Sequence, residues 1–185
     1  MNKEGYDSID TVLEKGVVPL NVETFEAMAN HEGALVLDVR EAQDFAHGHI
    51  PNSIFIGIDG SFAGWVGTLI TDLKQPLILV APEGREEETV TRLARVGYDN
   101  TLGYVEGGFE AWKAAGKEVD TVKSIPATEF AKEWKSGELK VLDVRKPGEY
   151  DAEHVDKAFN RPLDYINEYM DEFDQNETYH VHCAG

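Results

Sequence analysis

Apolar residues fall into short continuous runs along the first part of the chain, separated by stretches with helical spacing. Residues 34–39 (ALVLDV) and 76–81 (PLILVA) are almost wholly apolar and rich in leucine and β-branched residues. This pattern predicts strands that are buried on both faces of a parallel sheet. Apolar positions three or four apart predict helices over residues 86–96 and 108–115, and each is followed by a glycine. Alternating strands and helices predict an α/β domain with a doubly wound parallel sheet.

Part of this pattern returns later in the chain. Residues 35–50 read LVLDVREAQDFAHGHI and residues 140–155 read KVLDVRKPGEYDAEHV, which align without a gap at an offset of 105 residues. Upstream of both segments, a stretch with helical spacing places Phe25 opposite Phe130. The matched polar positions are Asp38 and Asp143, Arg40 and Arg145, and His49 and His154. An internal repeat of this length predicts two domains of one fold.

The repeat sets the expected domain boundaries. We expect a connector over residues 1–17, a complete first domain over residues 18–120, and the N-terminal part of a second domain over residues 121–185. By analogy with the first copy, roughly 39 further residues would complete the second one. Without them, the second sheet is expected to expose an edge and apolar surface.

Composition limits the expected partners and compartment. The net charge is −18, divided into −11 over residues 1–123 and −7 over residues 124–185. Such a field repels nucleic acid and anionic membranes, so neither is an expected partner. The sequence has no apolar run near the ~20 residues that cross a bilayer, and residues 1–10 lack the pattern of a signal peptide. Cys183 is the single cysteine, which suits a reducing compartment, and we expect the cytoplasm.

Two predicted strands end where parallel α/β domains bind ligands, at the carboxyl edge of the sheet. One is residues 77–80, followed by Ala81, and the other is residues 179–182, followed by Cys183. Asp38 lies 43 residues before Ala81, and Asp143 lies 40 residues before Cys183. Ala81 and Cys183 therefore occupy corresponding positions, with three residues of difference in an intervening loop. A helix that starts beyond such a loop offers N–H groups to an anion.

Taken together, these motifs resemble the rhodanese family. They are LDVR at residues 37–40, GHIPNS at residues 48–53 and YVEGGFEAWKAAGKEV at residues 104–119, and the last is the most specific. The resemblance covers residues 18–120 fully and residues 124–185 in part. In that family a cysteine opens a short loop and carries sulfane sulfur as a persulfide. The resemblance implies that Cys183 is the sulfur carrier, that a small sulfur donor and a thiol acceptor are the partners, and that this chain needs no cofactor and no metal.

The corresponding loop of the first domain is expected to be inactive. Such a loop activates a thiol by lowering its pKa from about 8.5 toward about 5 to 7, through backbone N–H groups and a helix dipole. Here Ala81 has no nucleophile, Pro82 has no N–H, and acidic side chains would repel an anionic donor. Family members often carry an arginine five positions after the cysteine, where this chain has Glu86. The degenerate loop comprises Ala81, Pro82, Glu83, Gly84, Arg85 and Glu86, and two more acids follow at Glu87 and Glu88.

Polar residues near the other strand ends have a simpler interpretation. Asp38 with Arg40, and Asp143 with Arg145, are expected to tie loops to the sheet through hydrogen bonds. His180 and His182 lie on one face of a strand, next to Cys183. A metal site at these residues is disfavoured, because too few ligands cluster and one would face the other way.

A shorter similarity concerns the N-terminal segment. Residues 3–16 (KEGYDSIDTVLEKG) are similar to the connector in fusions of a metallo-β-lactamase domain to rhodanese repeats, including persulfide dioxygenase-like proteins. This resemblance implies a metallo-β-lactamase domain as a partner in the parent protein, outside this chain.

Three functions remain open on the sequence alone. The first is sulfur transfer within a larger persulfide-handling enzyme, with the 185 residues inactive by themselves because only two residues follow Cys183. The second is a scaffold or regulatory module that only positions a neighbouring domain. The third is a phosphatase, since related folds bind phosphate with a cysteine loop that is one residue longer and closed by arginine. The length of the loop after Cys183 would distinguish them.

Overall fold

The computed structural model describes residues 8–31, 33–136 and 139–183. The chain divides into two compact units between Lys123 and Ser124. This division lies within a few residues of the boundary that the repeat predicts. Each unit is described by itself below.

The first unit contains a five-stranded sheet in which every neighbouring pair of strands is parallel. The strands are β1 (Pro19–Leu20), β2 (Leu35–Asp38), β3 (Ile54–Phe55), β4 (Leu77–Val80) and β5 (Thr101–Val105), in the order β1-β5-β4-β2-β3. The helices are α1 (Ile9–Gly16), α2 (Val22–His31), α3 (Ala42–His47), α4 (Phe62–Leu69), α5 (Glu86–Ala94) and α6 (Gly108–Ala114). The predicted α/β fold with a parallel sheet is confirmed.

Helices cover both faces of this sheet, which explains why its central strand is apolar throughout. Alternate side chains of β4 enter different clusters: Leu77 and Leu79 pack on one face, and Ile78 and Val80 on the other. The first face is covered by residues of α1, α4 and α5, and the second by residues of α2 and α6. All four β4 side chains are fully buried. The sheet thus has a core on each side, and its strand ends are held rigidly.

Part of the expected connector is a packed element of the first unit. Within residues 8–17 the chain forms α1, whose N-cap Ser8 accepts a hydrogen bond from the backbone N–H of Thr11. Val12 is 1% exposed and belongs to the same core cluster as Leu77 and Leu79. A Cβ at Gly16 would lie 2.7 Å from Val90 of α5, so the two helices approach closely at that point. Residues 1–7 of the expected connector lie outside the described residues.

The second unit repeats part of this arrangement. It contains α7 (Ala127–Ser136), β6 (Lys140–Asp143), α8 (Pro147–Ala152), β7 (Phe159–Asn160), two 3₁₀ turns (Leu163–Glu168 and Met170–Glu172) and β8 (Tyr179–His182). Its three strands are parallel, in the order β7-β6-β8. This order matches β3-β2-β4 of the first unit.

The strand registers show that the two units correspond residue by residue. Leu37 pairs with Ile54 in the first sheet, and Leu142 pairs with Phe159 in the second, each 105 positions later. In the last pairings of the next ladders, Asp38 lies beside Val80 and Asp143 beside His182. The residues that follow these strands, Ala81 and Cys183, are therefore structural equivalents.

β8 is more exposed than its counterpart β4. Among the described residues β8 pairs with one strand, β6, whereas β4 pairs with both β2 and β5. Val181 is 63% exposed, but the equivalent Leu79 is fully buried.

Candidate active site

An aspartate and an arginine form a clamp beside the strand end that precedes Ala81, and a second such clamp lies beside the strand end that precedes Cys183. In the first unit Arg40 Nε donates to Asp38 Oδ1 at 3.0 Å, and Arg40 Nη2 donates to Asp38 Oδ2 at 2.6 Å. Arg40 Nη2 also donates to the carbonyl oxygen of Gly48 at 2.8 Å. Asp38 is fully buried, so its charge is compensated by Arg40 rather than by water. The clamp fixes the segment after β2 to the loop after α3.

The second unit contains the same clamp with nearly the same distances. Arg145 Nη2 donates to Asp143 Oδ2 at 2.6 Å and to the carbonyl oxygen of Glu153 at 2.7 Å. The neighbouring histidine follows the pattern too. His154 stacks on Tyr150 with a centroid separation of 3.9 Å, as His49 stacks on Phe45 in the first unit. In both units the arginine of the pair joins a buried aspartate to the carbonyl oxygen of a loop residue.

The clamp sets the charge state of its members in the second unit. Hydrogen bonds from the Arg145 side chain hold the pKa of Asp143 below its ordinary value, against burial, which raises it. The same contacts raise the pKa of Arg145, and the Cys183 side chain adds to this effect. The clamp therefore favours the carboxylate form of Asp143 and the guanidinium form of Arg145.

Cys183 is exposed and follows β8 directly. The last ladder bond of the second sheet runs from Val144 N–H to the His182 carbonyl at 3.0 Å, as Val39 N–H donates to Val80 at 2.9 Å in the first sheet. The His182 side chain also approaches the clamp, with Nδ1 at 3.6 Å from Asp143 Oδ2. The structure thus places Cys183 at the carboxyl edge of a parallel sheet, beside Asp143, Arg145 and His182.

The equivalent edge of the first unit holds a cavity of about 750 Å³. Ala81, Pro82, Tyr104 and Phe109 provide its apolar lining, and Arg40 of the clamp lies above the Phe109 ring at 4.4 Å from the centroid. Gly107 and Gly108, at φ +75° and +65°, form a further wall, and a Cβ at Gly108 would lie 4.0 Å from the Ala81 carbonyl oxygen. The cavity is present although this unit has Ala81 at the position equivalent to Cys183.

The loop after Ala81 is arranged differently from the sequence expectation. Arg85 points away from the cavity and donates to Asp59 at 2.8 Å and to Glu88 at 2.9 Å. These hydrogen bonds lower the pKa of both acids. Glu87 and Glu88 line a separate depression with Arg92, so Glu83 and Glu86 alone of the four glutamates reach the cavity.

Three acidic residues of the cavity were missed by the sequence reasoning. Asp44, Glu106 and Glu110 line it together with Glu83 and Glu86. Glu106 and Glu110 flank the GGF motif, so their position beside a conspicuous glycine pair was the available signal. The sequence contained no such signal for Asp44, because its position at the cavity depends on how α3 packs.

Neither a metal cluster nor a membrane span is found in the described part of the chain. Over residues 8–31, 33–136 and 139–183 no group of three His, Cys, Asp or Glu side chains could hold one metal ion. The helices within those ranges are too short or too polar to cross a bilayer.

Comparison with known proteins extends the similarity beyond the motifs. The family described as rhodanese-like domain matches residues 21–115 and 126–185. A thiosulfate sulfurtransferase GlpE of Pseudomonas savastanoi pv. phaseolicola is 34% identical over 84 residues, which are 45% of this chain and 76% of that protein. Another GlpE, from Actinobacillus succinogenes, is 29% identical over 99 residues, 53% of this chain and 86% of its own.

Solved structures share the fold at lower identity. A structure of an EanB variant with hercynine aligns with a TM-score of 0.51 and 18% identity, over 85% of this chain and 42% of that one. A thiosulfate sulfurtransferase from Pseudomonas aeruginosa aligns with a TM-score of 0.49 and 17% identity, over 96% of this chain and 45% of that one. At this level of identity the EanB alignment describes a common fold and no more.

Proposed function

Because this chain belongs to the rhodanese-like domain family, we propose that it is part of a sulfurtransferase in which Cys183 carries sulfane sulfur as a persulfide. The observation that carries the proposal is the position of Cys183, the first residue after the strand β8 and the equivalent of Ala81 beside the first cavity. Ligands bind at this edge of parallel α/β sheets. The names of the GlpE relatives support thiosulfate as a donor.

The proposed reaction has two displacement steps. The Cys183 thiolate attacks the outer sulfur of thiosulfate, a new S–S bond forms, and the old S–S bond breaks so that sulfite leaves with the electron pair. An acceptor thiolate or cyanide then attacks the outer sulfur of the Cys183 persulfide. The Cys183 thiolate leaves and is ready for another cycle, so no external oxidant or reductant is consumed.

The residues around Cys183 would orient this chemistry. Arg145 is fixed by Asp143 and by the Glu153 carbonyl, so its guanidinium is a rigid positive group near an anionic sulfur. His182 precedes Cys183 and approaches the same carboxylate. We assign these side chains positioning roles, and we assign the nucleophile to Cys183.

The first unit supports a second, non-catalytic function within the same protein. Ala81 replaces the nucleophile, Pro82 lacks a donor, and Glu83 and Glu86 line the cavity. We propose that this unit is a scaffold or regulatory module.

We also propose a cytoplasmic location for the protein, a small sulfur donor and a thiol acceptor as its partners, and a metallo-β-lactamase domain as a partner within the parent protein. The last of these would be tested by reading the sequence that precedes residue 1 in the parent gene.

Thiocyanate formation from thiosulfate and cyanide tests the catalytic proposal. A polypeptide cut after residue 185 is expected to show negligible turnover, because it lacks the loop that would activate the Cys183 thiol. A longer polypeptide that completes the second repeat is expected to turn over and to gain about 32 Da, one sulfur atom, after incubation with thiosulfate.

Cys183→Ser in the longer polypeptide is the matched control and should abolish both signals. Folded wild-type protein that never acquires the added sulfur would rule out the carrier and leave the scaffold function. Phosphate ester hydrolysis that depends on Cys183 would instead support the phosphatase alternative.

A further inference from the structure

The last residue of β8 differs from its counterpart in β4 in a way that the fold does not require. His182 pairs with Asp143 in the last position of its ladder, and Val80 pairs with Asp38 at the equivalent position of the first sheet. Val80 is fully buried in an apolar cluster, as is usual for a central strand of a parallel sheet. A histidine thus occurs where the cysteine follows, and a valine where the cysteine is missing.

The ring nitrogen Nδ1 of His182 faces the clamp of the second unit. Nδ1 is buried without a hydrogen-bond partner, and Asp143 Oδ2 lies 3.6 Å from it. Hydrogen bonds from Arg145 hold the pKa of Asp143 below its ordinary value, so the carboxylate keeps its charge at neutral pH. A carboxylate repels a nitrogen lone pair and attracts an N–H group, so this contact favours the tautomer of His182 with its proton on Nδ1.

The other ring nitrogen, Nε2, is available to a reactant. The His182 side chain is 43% exposed although Nδ1 is buried, so the accessible part of the ring lies away from Asp143. Within residues 8–31, 33–136 and 139–183, no hydrogen bond to Nε2 is found. With the proton on Nδ1, Nε2 has a free lone pair and can accept a proton. A carboxylate that orients an imidazole in this way is the arrangement of a general base.

His180 lies on the same face of β8 and lacks this arrangement. Its Nε2 lies 3.7 Å from Glu133 Oε2, and its ring centroid lies 6.0 Å from that of Phe130. Its side chain is 21% exposed, and its Nδ1 is buried without a partner. Nε2 of His180 thus faces a glutamate of α7, whereas Nε2 of His182 is open. The two histidines of one strand therefore form a natural comparison.

We propose that His182, beyond positioning, is the base that takes a proton from the sulfur acceptor, and that the acceptor is a thiol which is protonated at neutral pH. This inference rests on the proposed sulfur transfer through Cys183. The acceptor thiol gives its proton to Nε2, and its sulfur attacks the outer sulfur of the protonated Cys183 persulfide. A new S–S bond forms, the old S–S bond breaks, and Cys183 leaves as the thiolate.

The next loading step returns the proton. The Cys183 thiolate attacks the outer sulfur of thiosulfate, sulfite leaves with the electron pair, and the proton on Nε2 passes to the outer sulfur of the new persulfide. One cycle converts thiosulfate and a thiol into sulfite and a persulfide, and no oxidant or reductant is consumed. An acceptor that is already an anion needs no base, so the two kinds of acceptor should respond differently to the loss of His182.

Single-turnover transfer from the loaded, longer polypeptide tests the proposal. Loading is verified first by the gain of about 32 Da, so the transfer step is measured by itself. The acceptors at pH 7 are glutathione, an alkyl thiol, and thionitrobenzoate, an aryl thiol that is already ionised at this pH. An alkyl thiol with a pKa of about 8.5 is ionised by only about 3% at pH 7, so a base can accelerate its reaction by at most about thirtyfold.

Variants of the two histidines separate a base from a structural role. His182→Asn retains an amide that can face Asp143 but has no nitrogen at the position of Nε2. It should slow transfer to glutathione about tenfold and transfer to thionitrobenzoate by less than about twofold. Raising the pH to about 9.5 should remove the difference, since the alkyl thiol then ionises by itself. His180→Asn is the matched control and should leave both rates unchanged.

Four results would overturn the proposal. They are equal slowing of both acceptors by His182→Asn, an unchanged glutathione rate, a difference that persists at about pH 9.5, and the same selective loss in His180→Asn. Imidazole added to His182→Ala should restore the glutathione rate, and a failure to do so would also contradict a base at this position. Wild-type protein that never gains the added sulfur would instead refute the proposed function, and this inference with it.

Discussion

A buried carboxylate is the residue-scale feature that the two units share. Asp38 and Asp143 are 0% and 1% exposed, and each receives hydrogen bonds from the arginine two positions later. Burying a charge is unfavourable unless it is paired and hydrogen-bonded, so each aspartate depends on its arginine. Sequence spacing alone could predict this pair, because both members lie within one LDVR motif.

The pH dependence of the second clamp follows from the lowered pKa of Asp143. A carboxyl whose pKa is lower in the folded state stabilises the fold above its unfolded value, 3.8, and loses this contribution as pH falls through the folded value. Asp143→Asn should therefore lower the free energy of unfolding at pH 7 by about 2 kcal/mol, and the difference should shrink as pH falls below 3.8. Urea unfolding followed through the amide signals of the second unit measures both quantities. A difference that is constant over this pH range would show that the clamp does not act through the carboxylate charge.

A thiol placed in the first cavity should stay unreactive. In the Cys183→Ser background, Ala81→Cys is expected to fold normally, since the position lies at the end of β4, and to show a thiol pKa at or above about 8.5. Pro82 provides no N–H, and Glu83 and Glu86 disfavour the thiolate. The rate of iodoacetamide labelling against pH gives the value.

Substitutions that remove a glutamate charge in the same variant identify which side chains raise the pKa of the thiol at position 81. Glu83→Gln with Glu86→Gln should lower the labelling midpoint, whereas Glu87→Gln should leave it unchanged, because Glu87 lines the other depression. A midpoint well below about pH 7 before these changes would mean that the loop is still a working anion site.

Side-chain contacts between residues far apart in the sequence could not be predicted. Arg85 was counted as a member of the degenerate loop, and its guanidinium pairs with Asp59, 26 positions earlier. The orientation of a long side chain depends on which acid the fold brings near, and a linear pattern does not contain that information. The equivalence of Ala81 and Cys183, in contrast, could be predicted, because each directly follows a strand beside its LDVR strand, although the loops between differ by three residues.

At the scale of elements, α1 is the main difference from the sequence prediction. Its eight residues are too few for a clear periodicity, and residues 1–17 were expected to be a connector. Strands β1 and β3 were also missed, since two residues are too short to show alternation, and neither β5 nor α4 was predicted. The longer apolar strands β2 and β4 and the helices α5 and α6 were predicted to within about two residues, because their burial leaves a continuous pattern.

The packing of α1 predicts a measurable contribution to stability. Val12→Ala removes two methyl groups from a fully buried position and should lower the free energy of unfolding by about 2 kcal/mol. Ile9→Ala is the matched control, since Ile9 lies on the same helix and is 47% exposed, and it should change stability by less than about 0.5 kcal/mol. Thermal unfolding compares the two variants. If they behaved alike, α1 would be a connector after all.

At the scale of the whole molecule, the net charge of −18 should make stability depend on salt. Like charges repel one another in the compact state, and salt at about 0.15 M screens charges that are more than about 8 Å apart. We expect the Tm to rise by several degrees between low salt and about 0.15 M, since repulsion outweighs the few surface ion pairs. Sodium and potassium chloride should act equally if screening is the cause. A falling Tm would show that the ion pairs around Arg85 and Arg161 dominate instead.

The place of Ala81 and Cys183, one residue beyond the last ladder bond of their strands, bears on how such proteins diverge after duplication. The ladder bonds there are made by main-chain atoms, so a change of side chain leaves the register of the sheet as it is. One copy of a repeated gene can therefore exchange its reactive group by point mutation while its fold is inherited unchanged. Selection can then act on the cavity that has lost its cysteine, and single substitutions can change the acidic side chains that line it.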